Sequence, residues 1–231
     1  MRAELHVLRV FCDEQERAGN LLGVFPQGWL VPAAERQEVA RRLGFSETVF
    51  VTDADTATLE IYTPTQELPF AGHPLVGTAW LLGQSPEPPA LLRPPVGDVH
   101  YTFEDSLTWV QARAEYSPNW ELVQLPEPAA VTNLSGPPDG LGHVQAWAWQ
   151  DQDEGVVRAR VFSSDYGVAE DSATGSAAIA LCASLGRGLQ ILQGQAQSES
   201  EIRARPLADG WFALGGRVVV DRSPEYLQLQ G

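Results

Sequence analysis

The chain has 231 residues, enough for one large domain or two of ordinary size. Its 30 acidic residues against 15 basic ones give a formal net charge of −15, which argues against nucleic acid or an anionic membrane surface as partner. Hydrophobic residues make up 44% of the chain, ample for packed cores, while its 2 cysteines form neither a disulfide framework nor a metal-ligand set. The opening residues, Met1-Arg2-Ala3-Glu4-Leu5-His6, lack the apolar core of a signal peptide. No apolar run reaches membrane-spanning length, so a soluble, cytoplasmic protein is expected.

In chain order, Leu5–Phe11 and Leu21–Phe25 read as strands joined through a turn at Arg17–Asn20. Pro32 opens a helix that runs through Leu43, with Val39, Ala40 and Leu43 at helical spacing, Arg41 and Arg42 in the last turn, and Gly44 as the stop. Phe45–Val51 is the next strand. Period-two alternation places Phe45, Glu47, Val49 and Val51 on one face, with Glu47 the only charge there. Ala57–Tyr62 and the Trp109 region continue the strand pattern, Gln84–Pro95 is a Pro-rich loop, and Tyr101–Arg113 reads as a hairpin. Pro118–Leu134 is weakly patterned and Ser135–Gly140 is a loop. Strands are expected at Val144–Trp149, Val156–Phe162, Ser198–Arg205, Trp211–Leu214 and Arg217–Val220.

Two stretches stand out. Phe70-Ala71-Gly72-His73-Pro74 opens the apolar run Leu75–Leu82, and Asp171-Ser172-Ala173-Thr174-Gly175-Ser176 opens Ala177–Ala183. A short helix that is apolar nearly all round must be buried on every side. Pro74 suits the first helical position with His73 at the cap, and Thr174 or Ser172 can cap the second helix. Each N-terminus then presents N–H groups and partial positive charge, a natural seat for a carboxylate.

Several residues in this pattern can carry chemistry. Burying an unpaired carboxylate such as Glu47 raises its pKa, which a general acid/base working near neutrality requires; a strand-edge carboxylate that reaches solvent is the plainer alternative. His73 is either a packed cap or a proton relay. Asp171 is either a capping residue or a catalytic group. Ser176 lacks the Gly-x-Ser-x-Gly elbow and the adjacent base a nucleophile needs. His6, His100 and His143 show no metal-ligand spacing, so no metal site is expected, and neither Cys12 nor Cys182 is placed like an activated thiol. Dinucleotide, phosphate-loop and zinc motifs are absent from the sequence.

Three co-ordered motifs, Gly44-Phe45-Ser46-Glu47-Thr48-Val49-Phe50-Val51, Phe70-Ala71-Gly72-His73-Pro74 with Gly77-Thr78-Ala79, and Glu170-Asp171-Ser172-Ala173-Thr174-Gly175-Ser176-Ala177, resemble the phenazine-biosynthesis-type (PhzF-like) isomerases. Gly19-Asn20, Arg160-Val161-Phe162, Gln193-Gly194 and Gly215-Gly216 match more weakly in the same order. The resemblance implies an α+β fold of two similar domains, 1–113 and 114–231. Each would be a curved mixed sheet wrapped round a central buried helix, as in diaminopimelate epimerase, with the active site between them. It further implies that no cofactor is used and that a homodimer forms. By motif position Glu47 is the general acid/base, with His73, Asp171 and Ser176 as supporting catalytic groups. Ser46, Gly72, Thr174 and Gly175 would bind substrate. The chain departs from the family pattern at Asp171-Ser172, where Asp-Pro is usual, and after Gln193-Gly194, where Arg-Pro-Ser is replaced by the Ser198-Glu199-Ser200-Glu201 region.

The expected activity is a proton-transferring isomerase of a small carboxylated metabolite. An epimerase or racemase on the same scaffold is the first rival, needing a second base from Asp171 or His73. A non-catalytic metabolite-binding protein is the rival from another class, and a serine hydrolase is a distant third.

Overall fold

A short apolar helix without a polar face has to be buried, and both such helices are buried along most of their length. The computed structural model describes residues 2–138, 141–164 and 168–228. It is an α+β chain with fourteen strands, paired both parallel and antiparallel, and four α-helices among those residues. The chain divides into two compact units, one of Met1–Val10, Asn20–Val110 and Val218–Gly231, the other of Phe11–Gly19 and Gln111–Arg217.

The first unit is built on β1 (Arg2–Cys12), β2 (Asn20–Phe25), β3 (Glu47–Asp53), β4 (Thr58–Tyr62) and β5 (Glu67–Leu68). They lie side by side in the order β5-β4-β3-β2-β1, with β2 and β3 parallel and the other pairs antiparallel. The expected hairpin forms as β6 (Tyr101–Glu104) and β7 (Leu107–Arg113). Helix α1 (Ala33–Leu43) follows Pro32, which occupies the cap position, and ends at Gly44. Gly44 has φ 69, the left-handed conformation that favours glycine, and its N–H bonds Ala40 O at 3.1 Å. Helix α2 (Gly72–Leu82) is buried continuously from Gly72 to Ala79.

The register assigns the two sheet faces. Leu5, Val7, Phe25, Phe50 and Tyr62 pack with Val39 and Ala40 of α1, and Phe25 and Phe50 stack with ring centroids 4.9 Å apart. Leu8, Val10 and Leu22 lie on the opposite face, where Gly77 of α2 approaches them. Strand β3 is therefore buried on both faces from Thr48 to Val51. The expected alternation holds inside the strand, but Phe45 departs from it. It lies ahead of β3 and packs toward the α1 cluster, because the bend at Gly44 sets it outside the pleat.

In the second unit, β8 (Glu121–Gln124), β9 (Val144–Asp151), β10 (Val156–Ser163), β12 (Leu189–Gln193), β13 (Ser200–Pro206) and β14 (Trp211–Gln228) run in the order β14-β13-β12-β10-β9-β8, and β11 (Val168–Asp171) pairs with β10. Residues 211–217 of β14 belong here and 218–228 to the first unit. The two closing strands expected at 211–214 and 217–220 are thus one. Gly215-Gly216 interrupts the apolar pattern but not the pairing, since Gly215 still faces Arg203 across the ladder. Helix α4 (Gly175–Leu185) buries Gly175, Ala177, Ala178, Ile179, Leu181 and Cys182 and closes at Gly186. The weakly patterned stretch yields β8 and the short α3 (Pro128–Thr132). Of the loop expected over 135–140, Asp139 and Gly140 lie outside the described residues. No described helix is long and apolar enough to cross a membrane.

Gly28 marks a close approach. A Cβ there would sit 2.7 Å from the backbone of Phe50 and Val51, in the middle of β3, where no flexible atom can yield. Gly28→Ala is expected to destabilise the protein by about 1–3 kcal/mol. A urea unfolding midpoint equal to that of the parent would refute this.

Candidate active site

Glu47 is the first residue of β3. The register Leu22↔Glu47 and Val24↔Val49 sets it on the α2 face, so its carboxylate meets the start of that helix. Its Oε2 lies 2.8 Å from Nδ1 of His73, with the two side chains 19% and 4% exposed. An ionised Glu47 accepts from Nδ1–H, which fixes the orientation of both groups.

The helix begins earlier than its proline suggested. Ala71 is the cap residue (φ −151, ψ 128), Gly72 is the first helical position, His73 the second and Pro74 the third. His73 is therefore inside the first turn and not at the cap. Pro74 is tolerated because the N–H it lacks falls among those that precede the hydrogen-bond ladder. The first intrahelical bond runs from Leu75 N–H to Ala71 O at 3.3 Å. Ser46, just before Glu47, donates from Oγ to Oδ1 of Asn20 at 3.1 Å. Glu47 and His73 thus meet at the first turn of α2, which Gly72 opens, while the Ser46 hydroxyl is tied to Asn20 of β2.

The second unit repeats the design with different chemistry. Asp171 ends β11 and its Oδ2 accepts from Thr174 Oγ1 at 2.6 Å. Thr174 is the cap residue of α4 by position, yet its hydroxyl makes no bond back to the helix; Asp171 and Gln193 take it instead. Ser172 is not a cap. It lines a cavity of about 200 Å³ with Glu170, Gly194, Gln195 and Ser198.

The fully buried Gln193 holds the turn: its Nε2 donates to Asp171 O and to Thr174 Oγ1, both at 2.9 Å, and its Oε1 accepts from Thr174 N at 3.3 Å. Gly175 is the first helical residue and Ser176 the second. Ser176 Oγ accepts from Trp120 Nε1 at 3.2 Å, and Trp120 stacks on His143 at 3.5 Å between ring centroids. His143 in turn shares a 2.9 Å hydrogen bond with Ser163 Oγ.

Residue pattern alone does not mark Trp120, His143 or Gln193 as members of this cluster. Gln193 had a signal in the Gln-Gly pair, whereas Trp120 sits in the weakly patterned stretch and signals nothing by spacing. Behind the turn, Arg160 donates Nε and Nη2 to both oxygens of Glu170 at 2.8 Å. The Arg160 hydrogen bonds outweigh burial and, with Gln195, hold the Glu170 carboxyl below its ordinary range.

Among the described residues, no group of three or more His, Cys, Asp or Glu is placed to hold a metal ion. Burial pushes the Cys182 thiol up to about 12, and its Sγ donates to Arg187 O at 3.2 Å. It is accordingly expected to resist iodoacetamide in the folded protein at pH 7.5 and to react on denaturation; native labelling of Cys182 in a peptide map would contradict this.

The fold is mixed α+β, and comparison with known proteins gives the class. A family model described as phenazine biosynthesis-like protein matches residues 8–97. Trans-2,3-dihydro-3-hydroxyanthranilate isomerase of Pseudomonas aeruginosa is 34% identical over 229 residues, covering 82% of each chain. Among solved structures, the Bacillus anthracis phenazine biosynthesis protein of the PhzF family superposes with TM-score 0.80 at 18% identity, covering 99% of this chain and 100% of that one. A predicted epimerase from Pseudomonas aeruginosa superposes with TM-score 0.73 at 22% identity, with 99% and 100% covered. The enzyme class is isomerase. The chain belongs to the phenazine biosynthesis-like, or PhzF-like, family.

Proposed function

We propose that the protein isomerises a small carboxylated metabolite by moving a proton between carbon atoms without a cofactor, with Glu47 as general acid/base. The observation that carries this reading is the 2.8 Å pair of half-buried Glu47 and buried His73 at the start of α2. A carboxylate held by a neighbouring imidazole, in a place largely closed to water, can take a proton from carbon and return it elsewhere on the same molecule. His73 donates from Nδ1 and positions the carboxylate. Ser46 and the backbone of Gly72 border it and bind substrate in this reading.

In the second unit the first turn of α4 receives the substrate's carboxylate. The N–H groups about Gly175 supply fixed positive dipoles, and Thr174, Asp171 and Ser176 shape the turn. Negative charge that develops on the carboxylate as the proton leaves carbon is stabilised there. The fold that goes with this reading is a pair of similar domains, each with a sheet curved round its central helix.

The curated relatives act, by name, on trans-2,3-dihydro-3-hydroxyanthranilate. A hydroxylated, unsaturated ring carboxylate is therefore the substrate class to test first. An epimerase is the second reading, favoured by the solved neighbour described as a predicted epimerase. Incubation with trans-2,3-dihydro-3-hydroxyanthranilate in D2O, followed by NMR, separates the two. Deuterium at a new carbon with a moved double bond means isomerisation, and exchange at one carbon with inversion means epimerisation. An absence of exchange in this compound and in a panel of related ring and amino acids would remove the proton-transfer reading.

A further inference from the structure

Two buried glutamines share one face of the second unit, and only one of them is employed. Trp147 pairs with Ala159, and Ala159 with Gln193, so these three point to the side where Gln193 holds the α4 turn. Gln145 lies two residues before Trp147 and points the same way. It pairs with Val161, and Val161 pairs with Asp171, so Gln145 and Asp171 stand on one face two strands apart, roughly 10 Å across at ordinary strand spacing. Gln145 is 0% exposed, and neither its Oε1 nor its Nε2 has a hydrogen-bond partner.

A buried amide with both ends unsatisfied opposes folding, and a hydrophobic side chain of the same shape would serve the core better. The retained cost points to a partner that arrives with the ligand. His143, just ahead of β9, is linked through Trp120 to Ser176 in the first turn of α4, so this end of β9 leads to the helix end.

We propose that Gln145 determines substrate specificity. Its amide pairs with a hydroxyl or amine substituent beside the carboxylate that α4 holds. The inference rests on the carboxylate role given above to α4, and not on Glu47. A carboxylate alone satisfies the helix end. A carboxylate with a neighbouring hydrogen-bonding substituent satisfies Gln145 as well.

The test compares benzoate with 2-aminobenzoate on the full chain and on Gln145→Met, which keeps the length of the side chain, with Gln145→Leu as a second variant. Dissociation constants are measured by calorimetry and melting temperatures without ligand. The parent is expected to prefer 2-aminobenzoate by about tenfold, and the variants to lose that preference while binding benzoate unchanged. Their melting temperatures should equal or exceed that of the parent.

An undiminished preference in both variants overturns the proposal. So does an equal loss of both ligands together with a lower melting temperature, which would make Gln145 a structural residue. If the parent binds neither compound, the carboxylate role of α4 fails and takes this inference with it. Deuterium exchange abolished by Glu47→Gln would then still stand by itself.

Discussion

Glu47→Gln is expected to lower proton transfer at the substrate carbon by roughly 1,000-fold, within the range that a positioned general acid/base supplies. The change keeps shape and volume. The amide cannot take a proton from carbon, but its oxygen can still accept from His73 Nδ1–H across the distance of 2.8 Å now spanned by the carboxylate. The fold should therefore survive, and substrate affinity should change far less than turnover. Deuterium incorporation from D2O, measured beside the melting temperature, separates loss of chemistry from loss of structure. Exchange that persists at the parental rate in a folded variant would transfer the role of base to another residue.

Arg160→Met is the change expected to cost most in stability, about 3 kcal/mol, the order found when one partner of a buried ion pair is removed. Arg160 and Glu170 have side chains only 8% and 18% exposed and bond through both carboxylate oxygens. Arg160 also donates to Leu134 O just beyond α3. Removing the guanidinium strands a half-buried carboxylate and a carbonyl. Adding Glu170→Gln to the variant should restore part of the loss, because no uncompensated charge remains. Urea midpoints for the two single variants and the double variant test this, and additive losses would show that the pair is not coupled.

The same pair gives a pH dependence with a defined sign. The Glu170 carboxyl is held below its ordinary value of about 4.5, chiefly by the Arg160 hydrogen bonds. Its contribution to stability is thus fully present above about pH 4.5 and is lost as the pH falls through the lower folded value. In Glu170→Gln this part of the acid destabilisation should disappear.

Much of the fold and some of the site are legible in the residues alone. Runs with no polar face, Leu75–Leu82 and Ala177–Ala183, can only be helices enclosed by other structure, and α2 and α4 are those helices. Gly44 after a helical run can only be a stop. The period of two within β3 sets Glu47 with Val49 because pleating is a property of the strand itself. These features follow from local sterics and from the solvent's exclusion of apolar surface, which act on neighbouring residues.

Other features depend on what the chain meets far away. His73 reaches Glu47 over 26 residues of separation and Trp120 reaches Ser176 over 56, and such pairings exist only once sheets and helices have packed. Gly215-Gly216 reads locally as a break, yet cross-strand pairing carries β14 straight through it. Thr174 has the side chain of a cap, but Asp171 and Gln193 compete for its hydroxyl and win. Gln145 reads as an ordinary polar strand residue until the packed sheet buries it with no partner. By itself the sequence determined most of the longer elements, the burial of the two apolar helices and the motifs that carry the family likeness. The tertiary structure alone decided which polar groups meet, because hydrogen-bond partners are chosen by distance in space and not along the chain.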